Sequence, residues 1–451
     1  MKTYQDWLKV AERSEEERMN FIHAAINEHK SSQEYEDAVT AEDYYNGNNT
    51  TIKTVQKMVF NAMGQAVPDL ISANHKLANR FFYRAITQAT QVLLGNGVTW
   101  KQDSTEPLGK DFDKKIVQIA RAVQAEGTCF GFWNLDHVEV FELRNFKPLY
   151  DEEDGALKAG IRFWQIDDKK PMRATMYELD GYTEYRYEGG KGEILQPKRP
   201  YILKTVTTVI DGLQIYDGEN YPTFPVIPCY ANATKTSELN PIRATIDAYD
   251  LISSGYANDI DDANIIYWTI TNAGGMDDGD LIKVLNKLRK SHIAQLDDDQ
   301  NIEMHTADLP YAGREAVLDR LEQQLYKDAM ALNTYDIANG AVTATQIEAA
   351  YEPLNQKLDQ LEGYITDFID RLLEVAGIED EPTYTRSIIV NRTEEINSLV
   401  SAALYLDEDY ITEKIMTLYC DKDKVQDVLD AKAEENTSRM TGGSGGEDTE
   451  V

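Results

Sequence analysis

The chain has 451 residues, of which 42% are hydrophobic and 27% charged, ordinary values for a folded protein of about three domains. Its 45 Lys and Arg face 78 Asp and Glu, a formal net charge of −33. That balance excludes the broad basic face needed by a general nucleic-acid or anionic-membrane binder. No run of about eighteen apolar residues is present to span a bilayer. The first ten residues, with Asp6 and Trp7 where an apolar core would begin, do not read as a signal peptide. Cys129, Cys229 and Cys420 are far apart and in no metal-ligand spacing, and read as buried thiols of a cytoplasmic protein.

Residues 3–38 are predicted to be highly charged helix, with Ser14 ahead of Glu15, Glu16 and Glu17 as a capping start. The turn cluster Tyr44-Tyr45-Asn46-Gly47-Asn48-Asn49 ends that region. A helix is expected over 79–94, stopped by Gly95-Asn96-Gly97. Between Val98 and Tyr230 the texture changes to strands, expected at 137–143, 161–166, 174–178, 183–187, 201–207 and 226–230, with one helix at 114–125. This predicts an α+β domain of mostly antiparallel hairpins.

Three patterned helices follow. The first, 241–265 with Pro241 in its first turn, puts Ile242, Ile246, Tyr249, Tyr256 and Ile260 on one stripe. Asp247, Asp250, Ser254, Asn258, Asp261 and Asp262 fall on the opposite one. An insert, 267–311, reads as a strand at 267–271, a Gly274-Gly275 turn, a short helix at 280–290 and a hairpin at 292–305. The second helix, 314–333, aligns Leu318, Leu321, Leu325 and Leu332. The third carries Ile347, Tyr351, Leu354, Leu358, Leu361, Ile365, Phe368 and Leu372 in alternating steps of four and three, a heptad seam that wants a partner. Pro353 is expected to kink or delay it. Helices are expected at 398–405, 411–419 and 424–434, and the Gly-rich end as disordered. No internal repeat is visible.

The chemistry is sparse. There is no phosphate-binding G-x-x-x-x-G-K-[ST] loop, no G-x-S-x-G, no H-E-x-x-H and no C-x-x-C, and the six histidines are scattered. Asp259, Asp261 and Asp262 are candidates for a Mg²⁺ site in a metal-dependent nuclease or phosphotransferase, or else a solvated helix face. Asp277-Asp278-Gly279-Asp280 resembles part of a Ca²⁺ loop but lacks its closing Glu, so helix N-capping is the simpler reading. Lys283, Lys287, Arg289 and Lys290, with Asp280, form a basic helix in an acidic insert: a docking site for an acidic partner, or charge balance at a helix C-terminus. An acidic helical scaffold assembling through the 347–372 seam is a further alternative.

Several stretches, in order, resemble the portal proteins of tailed double-stranded DNA phages, of the siphophage type. They are Tyr44-Tyr45-Asn46-Gly47, Asn79-Arg80-Phe81-Phe82, Leu93-Leu94-Gly95-Asn96-Gly97-Val98-Thr99, and Glu126-Gly127-Thr128 through Pro148-Leu149-Tyr150 to Ile161-Arg162-Phe163-Trp164. The strongest is Phe224-Pro225-Val226-Ile227-Pro228 with Ser237-Glu238-Leu239, Ile246-Asp247-Ala248-Tyr249-Asp250, Ser254 and Ala257-Asn258-Asp259. The match covers roughly residues 40–380.

The resemblance implies an α+β portal-type fold assembled as a ring of about twelve subunits at one capsid vertex. After an N-terminal helical segment (1–40) come a strand-rich wing (41–235), stem helices (241–266 and 313–333) and a small α/β clip (267–312). A tunnel loop (334–345), a long wing helix (346–378), a helical crown (379–436) and a tail (437–451) complete it. It implies a non-enzymatic conduit without cofactors or metals. The partners would be the terminase large subunit, a head-completion adaptor, the major capsid and scaffold proteins, and double-stranded DNA without sequence specificity, with no membrane. The location would be the virion, with host cytoplasm during assembly. On this reading Asp247, Asp250, Ser254, Asn258, Asp261 and Asp262 line the channel and repel phosphates. Thr334, Tyr335, Asp336, Ile337, Asn339, Gly340, Val342 and Thr343 belong to the tunnel loop. Asp280, Lys283, Lys287, Arg289 and Lys290 dock partners, and Ile347, Tyr351, Leu354, Leu358, Leu361 and Ile365 form an inter-subunit seam. An ordinary inter-helix connection is the alternative for residues 334–345.

Overall fold

The computed structural model describes residues 2–61, 63–69, 72–102, 108–208, 214–263, 267–271, 277, 279–280, 282–284, 301–305, 311–335, 343–387, 396, 399–402, 405–418, 425 and 428–431. The chain divides into two units, Met1–Ala331 with Gln356–Arg386, and Leu332–Asn355 with Ser387–Val451.

The first unit opens with α1 (Tyr4–Ala11), α2 (Glu15–Lys30) and α3 (Gln33–Tyr45). Each begins at a hydroxyl that accepts an otherwise orphaned amide: Thr3 from Asp6, Ser14 from Glu17 as its sequence predicts, and Ser32 from Tyr35. A short helix α4 (Thr50–Thr54) leads into a hairpin of β1 (Met58–Phe60) and β2 (Ala66–Pro68). Then come α5 (Phe81–Leu94), β3 (Val98–Trp100) and α6 (Phe112–Glu126).

Ten strands follow: β4 (Thr128–Asn134), β5 (His137–Glu142), β6 (Phe146–Tyr150), β7 (Leu157–Trp164), β8 (Met172–Glu178), β9 (Gly181–Glu188), β10 (Lys191–Arg199), β11 (Ile202–Thr208), β12 (Gln214–Glu219) and β13 (Val226–Tyr230). Strands β6 to β10 make an antiparallel meander in chain order. Trp7, Phe21, Ile22 and Ile26 of the first two helices pack on it against Leu149, Ile161, Phe163, Met176, Tyr185 and Tyr187. Gly160 leaves room for the Phe146 ring, since a Cβ there would fall 2.0 Å from its Cζ. A second sheet, ordered β13-β4-β5, has β4 buried at residues 128–133 without alternation. α6 joins α3 and this sheet through charges. Arg121 pairs with Glu42 (3.2 Å) and Glu142 (2.9 Å), and Arg144 with Glu126 (2.6 Å) and Glu142 (2.8 Å).

The rest of the chain adds α7 (Arg243–Ala263), β14 (Tyr267–Thr271), β15 (Asn301–His305), α8 (Tyr311–Asp328), α9 (Ala344–Ala376), β16 (Pro382–Tyr384) and α10 (Glu408–Leu418). β14 pairs with β15 in antiparallel register and β16 with β3. α8 stops earlier than its leucine spacing suggests, and α9 starts earlier, running through Pro353 instead of being delayed by it. In the second unit, residues 399–402 and α10 are helical, as are 425 and 428–431, and Ile411 is buried. The tail 437–451 and Cys420 lie outside the described residues.

Candidate functional site

The polar stripe of α7 makes a run of specific contacts to the segment 44–79. Its spacing explains why. Four helical residues rise about 6 Å, close to the roughly 6.6 Å covered by two residues of extended chain. Residues 75–79 run antiparallel to α7 and meet it at that pitch. The His75 amide donates to Asn258 Oδ1 (2.6 Å), the Leu77 amide to Ser254 Oγ (2.9 Å) and the Asn79 amide to Asp250 Oδ1 (3.0 Å). His75 Nε2 lies 2.5 Å from Asp261 Oδ2, Asn49 Nδ2 donates to Asp250 Oδ2 (2.8 Å), and the Tyr44 hydroxyl donates to Asp247 Oδ1 (2.5 Å). Burial pushes the Asp250 carboxyl above its usual range, while the amide donors of Asn49 and Asn79 pull it down.

This placement corrects the expectation for two residues of the stripe. Asp250 and Ser254 are 1% and 3% exposed. They hold the chain's own segment 44–79 and are not free to line a channel as open polar groups. Asp247 and Asn258 are half-buried and Asp261 exposed; the Asp262 side chain lies outside the described residues. On the apolar stripe, Ile242 and Ile246 are buried with Phe81, Phe82, Leu239 and Leu325, whereas Ile260 is 40% exposed.

The acidic end of α7 is used structurally. Asp259 pairs with Arg314 of α8, whose guanidinium lies 5.8 Å from the centre of the Tyr256 ring. Among the described residues no group of three or more His, Cys, Asp or Glu is placed to hold a metal ion, so the nuclease alternative gains no support. In the insert, Asp277 Oδ1 accepts the Asp280 amide (2.9 Å), an N-cap contact. Lys283 pairs with Asp280 at 3.0 Å. Lys287, Arg289 and Lys290 lie outside the described residues.

Of the loop candidates, Thr334, Tyr335 and Thr343 are described, and Asp336, Ile337, Asn339, Gly340 and Val342 are not. Tyr335 is 74% exposed. Thr343 starts α9 with a capping box: its Oγ1 accepts the Gln346 amide (3.4 Å) and Gln346 Oε1 accepts the Thr343 amide (3.0 Å). The signal Thr-x-x-Gln is legible in the sequence.

The heptad seam is also corrected. Tyr351, Leu354, Leu358, Leu361 and Ile365 are each 3% exposed or less, and only Ile347 is half-buried. Five of the six residues expected between subunits are therefore interior to their own subunit. Phe368 explains part of this, lying so close to β4 that a Cβ on Gly131 would fall 2.4 Å from its Cζ. Lys357 bonds Glu238 (3.0 Å) and the Ala329 carbonyl (3.2 Å), and Arg386 pairs with Asp359 (2.6 Å) and Glu362 (2.7 Å). No described helix is long and apolar enough to cross a membrane.

Comparison with known proteins agrees with the resemblance in the sequence. Residues 24–438 match the model of the family described as phage portal protein, SPP1 Gp6-like. The portal protein of Bacillus phage SPP1 is 24% identical over 396 residues, covering 77% of this chain and 74% of its own. That of Clostridium phage phiCD119 is 22% identical over 327 residues, covering 67% and 71%. Among solved structures, the neck of an empty gene transfer agent particle computed with C6 symmetry aligns at TM-score 0.44 and 12% identity, over 75% of this chain and 90% of that one. The neck of the native particle with C12 symmetry aligns at TM-score 0.42 and 11% identity, over 75% and 89%. With its family model spanning nearly the whole length, the chain belongs to the SPP1 Gp6-like family of phage portal proteins.

Proposed function

We propose that copies of this portal subunit close into a ring of about twelve at one capsid vertex, through which a terminase motor drives DNA inward and through which DNA later leaves. The family match over residues 24–438 carries this reading. The subunit itself is a conduit and docking platform, with the chemistry of packaging left to its partner ATPase. Its charge suits that role: a surplus of −33 disfavours the counterion-releasing grip of a basic tunnel and lets the duplex slide.

The paired helices α7 and α8, joined by the segment that carries β14 and β15, support a stem with a clip at its end. The clip would dock terminase and then the head-completion adaptor, with Asp280, Lys283, Lys287, Arg289 and Lys290 as the docking residues. Residues 334–345 would form the tunnel loop, with Tyr335 and Gly340 nearest the duplex. The capsid and scaffold proteins are the remaining partners, the virion vertex the final location and the host cytoplasm the place of assembly.

Native mass spectrometry of the purified chain, with negative-stain images of the same sample, tests the ring. A closed assembly of about twelve subunits around an open hole is the expected outcome. Closed assemblies with no axial hole would overturn the conduit.

A further inference from the structure

We infer that the hairpin formed by β1 and β2 is an inter-subunit arm whose apolar tip seats on a second copy of this chain. The inference rests on the ring reading and names a contact within that ring.

Among the described residues the two strands pair only with each other, Met58 with Pro68, Val59 with Val67 and Phe60 with Ala66. A two-stranded hairpin with no covered face is marginal in water. Here the exposed residues are apolar: Phe60 is 80% exposed, Met63 85%, Met58 51%, and Val55 and Val59 40% each. Clustered exposure of this kind marks a contact surface rather than scattered surface hydrophobes.

The tip is nevertheless built. Asn61 Oδ1 accepts the amides of Met63 (2.9 Å) and Gln65 (3.0 Å), the Asn61 amide donates to the Gln65 carbonyl (2.9 Å), and Gly64 takes φ +73°, a conformation open to glycine. Met63 is thereby held outward. The root is equally firm, since Asn49 before the hairpin and His75, Leu77 and Asn79 after it are bound to α7. An arm with a fixed root and a shaped apolar tip has the preorganisation that binding rewards.

Charge selects the occupant. Between residues 50 and 80, Lys53, Lys57, Lys76 and Arg80 stand against Asp69 alone, in a chain whose net charge is −33. The hairpin itself balances Lys57 against Asp69, and the cations flanking it, Lys53, Lys76 and Arg80, complement the acidic surplus that a second copy brings. Phe, Met and Val at the tip offer no donor to phosphate, which favours protein over DNA.

The test places a photo-crosslinking amino acid at Phe60 or at Met63 in the full-length chain and irradiates the purified assembly. Dimer and higher bands whose cross-linked peptides both come from this chain are expected. An intact ring that gives no inter-copy cross-link from either position overturns the inference, as do cross-links to DNA alone. In parallel, Phe60→Asp combined with Met63→Asp should raise the concentration at which half the rings dissociate by about tenfold or more, with unchanged far-ultraviolet dichroism. A wild-type ring with an unmoved midpoint in that variant refutes the arm alone. A wild-type chain that stays monomeric at every concentration refutes the ring, and the arm with it.

Discussion

Asn79 meets Asp250 twice: its backbone amide lies 3.0 Å and its side-chain amide 2.7 Å from the same oxygen, Oδ1, while Asn49 donates to Oδ2 at 2.8 Å. Three donors thus surround a buried carboxylate at the point where the arm returns to α7. Asp250→Ala would leave the buried Asn49 donor without an acceptor, at about 1–3 kcal/mol, and would hand the two half-buried Asn79 donors to water at a smaller cost. The expected loss is roughly 2–4 kcal/mol, read as a lower urea midpoint at unchanged slope. A loss below about 1 kcal/mol would mean that the contact does not hold the 75–79 segment.

Gly131 and Phe368 make a second such pair. The helix α9 rests on β4 only because Gly131 has no side chain, a Cβ there falling 2.4 Å from Phe368 Cζ. Gly131→Ala should cost about 1–3 kcal/mol by overpacking. The added variant Phe368→Leu should recover part of that, because it removes the colliding ring. Two losses that merely add in the double mutant would show that the residues are not coupled.

Both corrections to the candidate site come from one limit of sequence periodicity. The steps of three and four that put Asp247, Asp250, Ser254 and Asn258 on one stripe show that a helix has a polar face. They do not show whether water, DNA or another segment of the same chain meets it. Asn79 and Asn49 carry the missing information, being amide donors in turn-like sequence, but nothing local pairs them with a residue 171 or 201 positions away. The heptad from Ile347 to Leu372 likewise announces an apolar partner without saying whose. Strands were legible where one face is wet, as in β9, and missed where alternation fails. β4 is buried on both faces, β6 contains Pro148, and β10 contains Gly192 and Pro197. Caps were the most local signal and the most legible, as Ser14 shows. The same reasoning applied to Thr343 and Gln346 would have started α9 at its observed position.

Glu126 and His29 predict opposite pH dependences. Burial lifts the Glu126 carboxyl from 4.5 to about 7, despite Arg144 at 2.6 Å. The folded state therefore holds this proton more tightly than the unfolded chain. Its contribution to stability is complete below about 4.5 and is lost as pH rises through 7. Relative to Glu126→Gln, the wild type should lose up to about 3 kcal/mol across that window. His29 is lowered from 6.5 to about 4 by burial, with Nε2 at 2.8 Å from the Leu143 carbonyl. Its contribution is complete above 6.5 and is lost as pH falls through 4. His29→Gln should therefore flatten the acid side of a melting-temperature profile, and Glu126→Gln the stretch between 4.5 and 7. Parallel profiles for wild type and both variants would contradict the assignment.

Gly340 lies outside the described residues, so its prediction rests on the proposed loop. Residues 334–344 carry no Lys or Arg and one glycine, so the proposed loop would contact phosphate weakly and shift at little steric cost. Proline at 340 would fix φ near −65° and restrict Asn339 before it. Gly340→Pro should leave ring assembly intact and yield procapsids that stay empty, counted by electron microscopy against wild type. Thr343→Ala is the matched control. It removes the α9 cap at a cost of about 1 kcal/mol and lowers the melting temperature, while Gly340 is kept. Heads filled normally in Gly340→Pro would remove residues 334–345 from the channel. Heads emptied equally by both variants would assign the defect to the start of α9 and not to motion of the loop.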